Sequence, residues 1–207
     1  MLKRFAAALT LALAAPVAAQ DAPAQPRTDL VVLETALGDI TLAIESERAP
    51  VTAANFLRYV DERRLDGTVF YRAMRLAWGE QPNGLIQGGT QYDPKRVLPP
   101  IAHEPTTQTG LSHTAGAISM ARYAPGTATG DFSIMVSDQP SLDADPKGET
   151  DDARAGFAVF GHVVSGMVVV RQIFAAPTDP DKGEGFMKGQ MLAQPVTILH
   201  AHRVKAS

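Results

Sequence analysis

From Gly79 to Gly110 the chain meets Pro82, Gly84, Gly88, Gly89, Pro94, Pro99, Pro100 and Pro105, a density of breakers that no helix of ordinary length survives. Only short strands and turns fit there. The same punctuation runs through the whole chain. Its 207 residues hold 15 Pro and 17 Gly without a short period, which excludes collagen-like and simple repeat architectures. With 45% apolar and 20% charged residues the chain still suffices for one buried core, and no linker divides it into two domains.

Between the breakers the apolar residues keep time. Residues 30–35 and 40–44 are β-rich, and Ile40, Leu42 and Ile44 alternate with Thr41 and Ala43, which predicts a hairpin. Pro50 opens a helical pattern with Ala53, Phe56, Leu57 and Val60 on one face, and Gly67 supplies its stop. A strand over 69–76 follows, in which period-two alternation sends Tyr71 and Arg72 to opposite faces. Further strands are predicted at 116–121, 132–136 and 157–163, and a second helix at 167–174 ahead of Pro177. The acid-rich stretch 143–156 reads as a loop, and Val196, Ile198 and His200 mark a last strand that pairs with the first hairpin. Many short strands with two helices predict a mainly β fold, a closed antiparallel barrel with helical plugs.

At the amino terminus Lys3 and Arg4 precede an apolar stretch over 5–15 and then the small residues Ala14, Ala15, Val17, Ala18 and Ala19, the layout of a secretory signal cleaved after residue 19. Pro16 interrupts the stretch well short of the ~20 residues that span a bilayer. Residues 20–28 then form a flexible leader to a domain over 29–207, periplasmic or otherwise exported, with no membrane contact after cleavage. The absence of cysteine removes disulfides and thiol chemistry. The 19 Lys and Arg are outnumbered by 22 Asp and Glu, so nucleic acid is a poor partner.

Several chemical motifs fail on inspection. Gly183-Glu184-Gly185 lacks the third glycine and the preceding strand of a phosphate loop. Asp143, Asp145 and Gly148 imitate a calcium loop, but Lys147 and Arg154 occupy ligand positions. His103-Glu104 is followed by Pro105, with Thr107 where a helical metalloprotease needs its second histidine. Ser112-His113 is the one pair suggestive of nucleophilic catalysis, and neighbours on a strand point apart, so it reads as chance. No cofactor and no metal are expected.

Four segments in order rise above this background: Phe70-Tyr71-Arg72, Leu85-Ile86-Gln87-Gly88-Gly89, the run from Gly116 to Arg122, and Ala158-Val159-Phe160-Gly161-His162-Val163. With Pro50, Thr52, Ala53, Asn55 and Phe56 in the early helix, and Asp131-Phe132-Ser133-Ile134 ahead of Ser141-Leu142-Asp143, they resemble the cyclophilin-type peptidyl-prolyl isomerases over residues 30–174. The resemblance implies an eight-stranded antiparallel β-barrel capped by two α-helices. It also implies cis/trans isomerisation of the bond before proline, without a cofactor, on proline-containing polypeptides, and the chain is read as a monomer.

By the same resemblance, Arg72 approaches the prolyl nitrogen as a donor and Gln87 helps to place it. Leu85 and Leu142 stand at two apolar pocket positions, while Gly84 and Ser133 stand where the family carries phenylalanines. Met120, Ala121 and Arg122 follow the peptide-binding strand, and Asp131 and Phe157 occupy further substrate-side positions. Trp78, in an insertion between Arg72 and Gln87, is expected to fold over the site and replace a lost aromatic wall. Two functions are then in view: an exported isomerase, or a non-catalytic peptide-binding module with an eroded proline pocket.

Overall fold

The computed structural model describes residues 26–204, so the expected signal and most of the leader lie outside the described residues. Eight strands, β1 (Asp29–Thr35), β2 (Gly38–Ile44), β3 (Val69–Arg75), β4 (Gly84–Gly89), β5 (Ala117–Met120), β6 (Asp131–Met135), β7 (Val159–Ser165) and β8 (Met191–Arg203), close into one barrel. Around the ring the order is β1-β2-β7-β5-β6-β4-β3-β8, every pair is antiparallel, and β8 returns to β1.

Alternation explains which side chains fill it. Val31, Leu33, Ile40, Leu42 and Ile44 are fully buried, as period two requires of a hairpin with one face inward. Phe132 is the hub of the interior, meeting Phe56 edge-on at 5.4 Å and Phe70 at 5.7 Å.

Among the described residues four α-helices accompany the barrel where the sequence predicts two. The expected pair are the long ones, α1 (Pro50–Asp61) and α4 (Met167–Ala175). The others, α2 (Thr106–Thr109) and α3 (Asp151–Ala155), are too short to display a 3.6-residue period, and α3 lies in the stretch read as a loop. Ala53, Phe56, Leu57 and Val60 of α1 are buried against the barrel, as are Val169, Val170, Ile173 and Phe174 of α4. Gly67 does not stop α1. The helix ends at Asp61, and Gly67, at φ 73°, turns the chain into β3.

Two features of the strands build the site. In β3, Phe70 pairs with Gly88 and Arg72 with Gln87, so Tyr71 is an extra residue opposite none. This bulge re-aims the strand. Tyr71 and Arg72 therefore border one cavity instead of facing apart, as strict alternation predicts. The second is a small apolar cluster of Leu85, Ala117, Met135 and Val159, separate from the interior core, with Met74 and Leu142 packed on it. These residues alternate with the interior Ile86, Ile118 and Ile134, so the cluster lies on the outer face of the barrel.

Candidate active site

A cavity of about 480 Å³ opens on that outer face, walled by β3, β4, β5 and β6. Arg72 rises from the β3 bulge into it and is only 6% exposed. Its Nη1 donates to Gln87 Oε1 at 2.7 Å, and its Nε and Nη2 donate to Gln190 Oε1 at 2.9 and 2.7 Å. Phe186 stacks beside it, with 5.3 Å from Cζ to the ring centroid. Among the described residues no carboxylate pairs with this arginine. Burial depresses its pKa, yet a guanidinium keeps its proton throughout the range in which proteins fold. Three of its five N–H groups are used, leaving one on Nη1 and one on Nη2 for a ligand.

The apolar wall comes from Met74, Leu85, Met135 and Leu142. No side chain can stand at Gly84. Its φ is 140°, and a Cβ there would lie 1.9 Å from the Met74 carbonyl oxygen, so this backbone excludes the family's phenylalanine. Ser133 does line the cavity, as a small polar residue. Trp78 does not fold over the site as expected. It is 63% exposed, does not line the cavity, and its carbonyl accepts a 2.6 Å bond from Asn83 Nδ2. Phe186 and Met187, from the loop between α4 and β8, close that side instead. Four of the seven methionines, Met74, Met120, Met135 and Met187, border the cavity.

The remaining sequence candidates divide. Ala121, Arg122 and Phe157 line the cavity, and Met120 borders it while belonging to the interior core. The Arg122 side chain is a strut: it donates to Asp152 Oδ1 at 2.8 Å and to the Gly156 carbonyl at 2.5 Å, over the Phe157 ring at 4.5 Å. Asp131 does not line the cavity and is 1% exposed. The turn after β4 covers it. Asp131 Oδ1 accepts from the Gln91 backbone N–H at 2.9 Å and from the Tyr71 hydroxyl at 3.2 Å, anchoring a turn in which Gln91 and Tyr92 take positive φ. Gln91 and Tyr92 thereby enter the cavity wall in its place. Burial raises the Asp131 pKa, and burial beside that carboxylate pushes Tyr92 up to about 12 and Tyr71 upward too, so both phenols stay protonated.

Ser112 and His113 are not a chance pair, since both bond Asp143. His113 Nδ1 lies 2.5 Å from Asp143 Oδ1 and its Nε2 lies 2.8 Å from Ser119 Oγ. A carboxylate only accepts, so Nδ1 carries the proton and Nε2 accepts from the serine. The order serine, histidine, aspartate imitates an acyl-transfer relay. Ser119 is on the cavity wall, 2% exposed on β5, and the bond from its hydroxyl to His113 ties that strand to the Asp143 loop. With its oxygens so engaged, Asp143 does not act as a calcium ligand, and among the described residues no His, Asp and Glu cluster suits a metal.

Sequence reasoning missed Met74, Met135, Gln190, Phe186 and Met187. The first two were legible, standing two residues from Arg72 and Ser133 on the same strands and hence on the same face. The loop residues carry no periodic signal.

The family model described as cyclophilin type peptidyl-prolyl cis-trans isomerase/CLD matches residues 30–203. The peptidyl-prolyl cis-trans isomerase of Acinetobacter baylyi is 39% identical over 153 residues, 72% of this chain and 73% of that protein. Peptidyl-prolyl cis-trans isomerase B of Escherichia coli is 34% identical over 154 residues, 72% of this chain and 86% of its own. A crystal structure of a cyclophilin type peptidyl-prolyl cis-trans isomerase from Cryptosporidium parvum shares the fold, with a TM-score of 0.66 at 19% identity, covering 87% of this chain and 100% of that one. Barrel, cavity and kinship agree, and the chain belongs to the cyclophilin-type peptidyl-prolyl cis-trans isomerases.

Proposed function

We propose that Arg72 is the catalytic residue of this isomerase and that the cavity beside it seats the proline of a polypeptide substrate. Amide resonance sets a rotation barrier of about 18–20 kcal/mol, so the uncatalysed event takes about 10–100 s. A donor offered to the prolyl nitrogen favours the twisted state, in which the nitrogen lone pair leaves conjugation with the carbonyl. No bond is broken, so the work is electrostatic stabilisation by groups already in place. The observation that carries this reading is a buried guanidinium that borders the cavity and is held only by neutral amides, with two N–H groups engaged by no other described residue. Gln87 holds Nη1, and Met74, Leu85, Met135 and Leu142 receive the ring. Ala121, Arg122 and Phe157 border the path of the flanking peptide.

Losing aromatic walls at Gly84 and Ser133 weakens proline binding by roughly 1.5–3 kcal/mol per ring. Methionine thioethers are polarisable and adapt to irregular shapes, so Met74, Met135 and Met187 recover part of that loss. Isomerisation of a proline tetrapeptide tests the assignment. Arg72→Ala is expected to turn over about a hundredfold more slowly than the wild type. A wild type no faster than the variant would leave a non-catalytic peptide-binding module.

We infer further that the enzyme is exported and acts on exported proteins. Lys3, Arg4, the apolar stretch over 5–15 and the small residues up to Ala19 support this. Cell fractionation with mass determination of the mature amino terminus is the test. An intact Met1 in the cytosol rejects export.

A further inference from the structure

We propose that Gln190 is a positioning residue of the isomerisation site, holding Arg72 in its productive orientation through a neutral oxygen that leaves the cation undischarged. The inference rests on the catalytic assignment of Arg72 above. Gln190 ends the loop before β8, and its backbone carbonyl accepts a 2.9 Å bond from the Ala73 N–H, next to Arg72 on β3. Its side-chain Nε2 donates to the Phe186 carbonyl at 2.7 Å. That bond fixes which end of the amide faces which way. Oε1 points at Arg72 and accepts from both Nε and Nη2, one edge of the guanidinium, while Gln87 takes the Nη1 side. An arginine gripped on two sides has little freedom left.

The loop is shaped to deliver this amide. A Cβ at Gly183, where φ is 89°, would lie 2.4 Å from the Met187 carbonyl oxygen, so the tight turn that lifts Phe186 and Met187 to the cavity requires glycine. Within it the Gly189 N–H donates to the Lys182 carbonyl at 2.8 Å and the Gln190 N–H to the Met187 carbonyl at 3.0 Å. Phe186 then adds its ring face to the guanidinium.

The choice of glutamine over glutamate has a chemical reason. A carboxylate at the same place would make a bidentate ion pair with Arg72. It would hold the same geometry while cancelling the charge that must act on the prolyl nitrogen. A neutral acceptor orients without cancelling.

The test compares wild type, Gln190→Ala, Gln190→Glu and Arg72→Ala by steady-state isomerisation of a proline tetrapeptide, with thermal melting of each. Gln190→Ala is expected to lower kcat roughly tenfold or more while KM moves by less than about twofold, because orientation is lost and the apolar wall is kept. The Arg72 Nε–H signal, expected to be sharp in the proton–nitrogen spectrum of the wild type because Gln190 accepts from it, should be lost to solvent exchange in Gln190→Ala. Gln190→Glu is expected to keep that signal and still lose kcat. Wild-type kcat in Gln190→Ala, alongside a slow Arg72→Ala, overturns the inference and leaves the isomerase reading standing. Wild type and Arg72→Ala equally slow overturns the reading itself. Should the alanine variant not fold, the isosteric glutamate variant decides, and an undiminished kcat there rejects the role assigned to neutrality.

Discussion

The His113 ring has no exposed side-chain surface and is held neutral between Asp143 and Ser119. Burial lowers its pKa, outweighing the opposing pull of Asp143. An unfolded histidine takes up a proton near pH 6.5, whereas the folded ring resists until lower pH. Below about 6.5 the unfolded state therefore binds more protons, and stability falls with falling pH, at up to about 1.4 kcal/mol per pH unit. Asp131 works the other way, since burial raises its folded pKa and acid favours its folded form. Denaturant melts of wild type and His113→Gln between pH 7 and pH 5 separate the two. The variant starts less stable at pH 7 and loses less on acidification. Parallel curves would assign the acid sensitivity elsewhere.

Among the elements, α1 is the one whose start depends on a distant partner. Pro50 suits its first turn, but no local side chain caps it. Glu104 does so from 52 residues away: its carboxylate accepts from the Val51 and Thr52 N–H groups at 3.1 and 2.7 Å and from the Thr52 hydroxyl at 2.6 Å. The negative group also meets the positive end of the helix. Glu104→Ala should cost about 2–3 kcal/mol in denaturant melts, with specific activity per folded molecule unchanged. An effect below ~0.5 kcal/mol would mean that water replaces the cap.

Elements of regular period were readable from sequence: the hairpin β1–β2, α1 and α4 all follow from apolar spacing. The β3 bulge was not, because an inserted residue shifts phase without changing composition, and alternation then misassigns Tyr71. Asp131 was misplaced for a related reason. It shares a strand face with Ser133, but the turn at Gln91 and Tyr92 folds over it, and no local rule announces such a cover. Arg72 and Gln87 were named through their motifs. Gln190 was out of reach, because its link to Arg72 spans 118 residues and depends on where β8 joins the ring.

At the scale of the whole molecule, closure of the barrel depends on β8, which pairs with β1 on one side and β3 on the other. A chain stopped after Gln190 leaves β1 and β3 with unpaired edges and opens the core around Ile198 and Ala201. Such a chain should show no cooperative melt by circular dichroism and no isomerase activity. A sharp transition would show that seven strands suffice.

This topology also sets a timetable. A ribosome reaches the codons for Met191–Arg203 only after it has built the other seven strands, so no nascent polypeptide can seal the ring before then. Catalytic competence then arrives in one late step rather than by degrees, and a half-made copy has no means of twisting prolines in its neighbours.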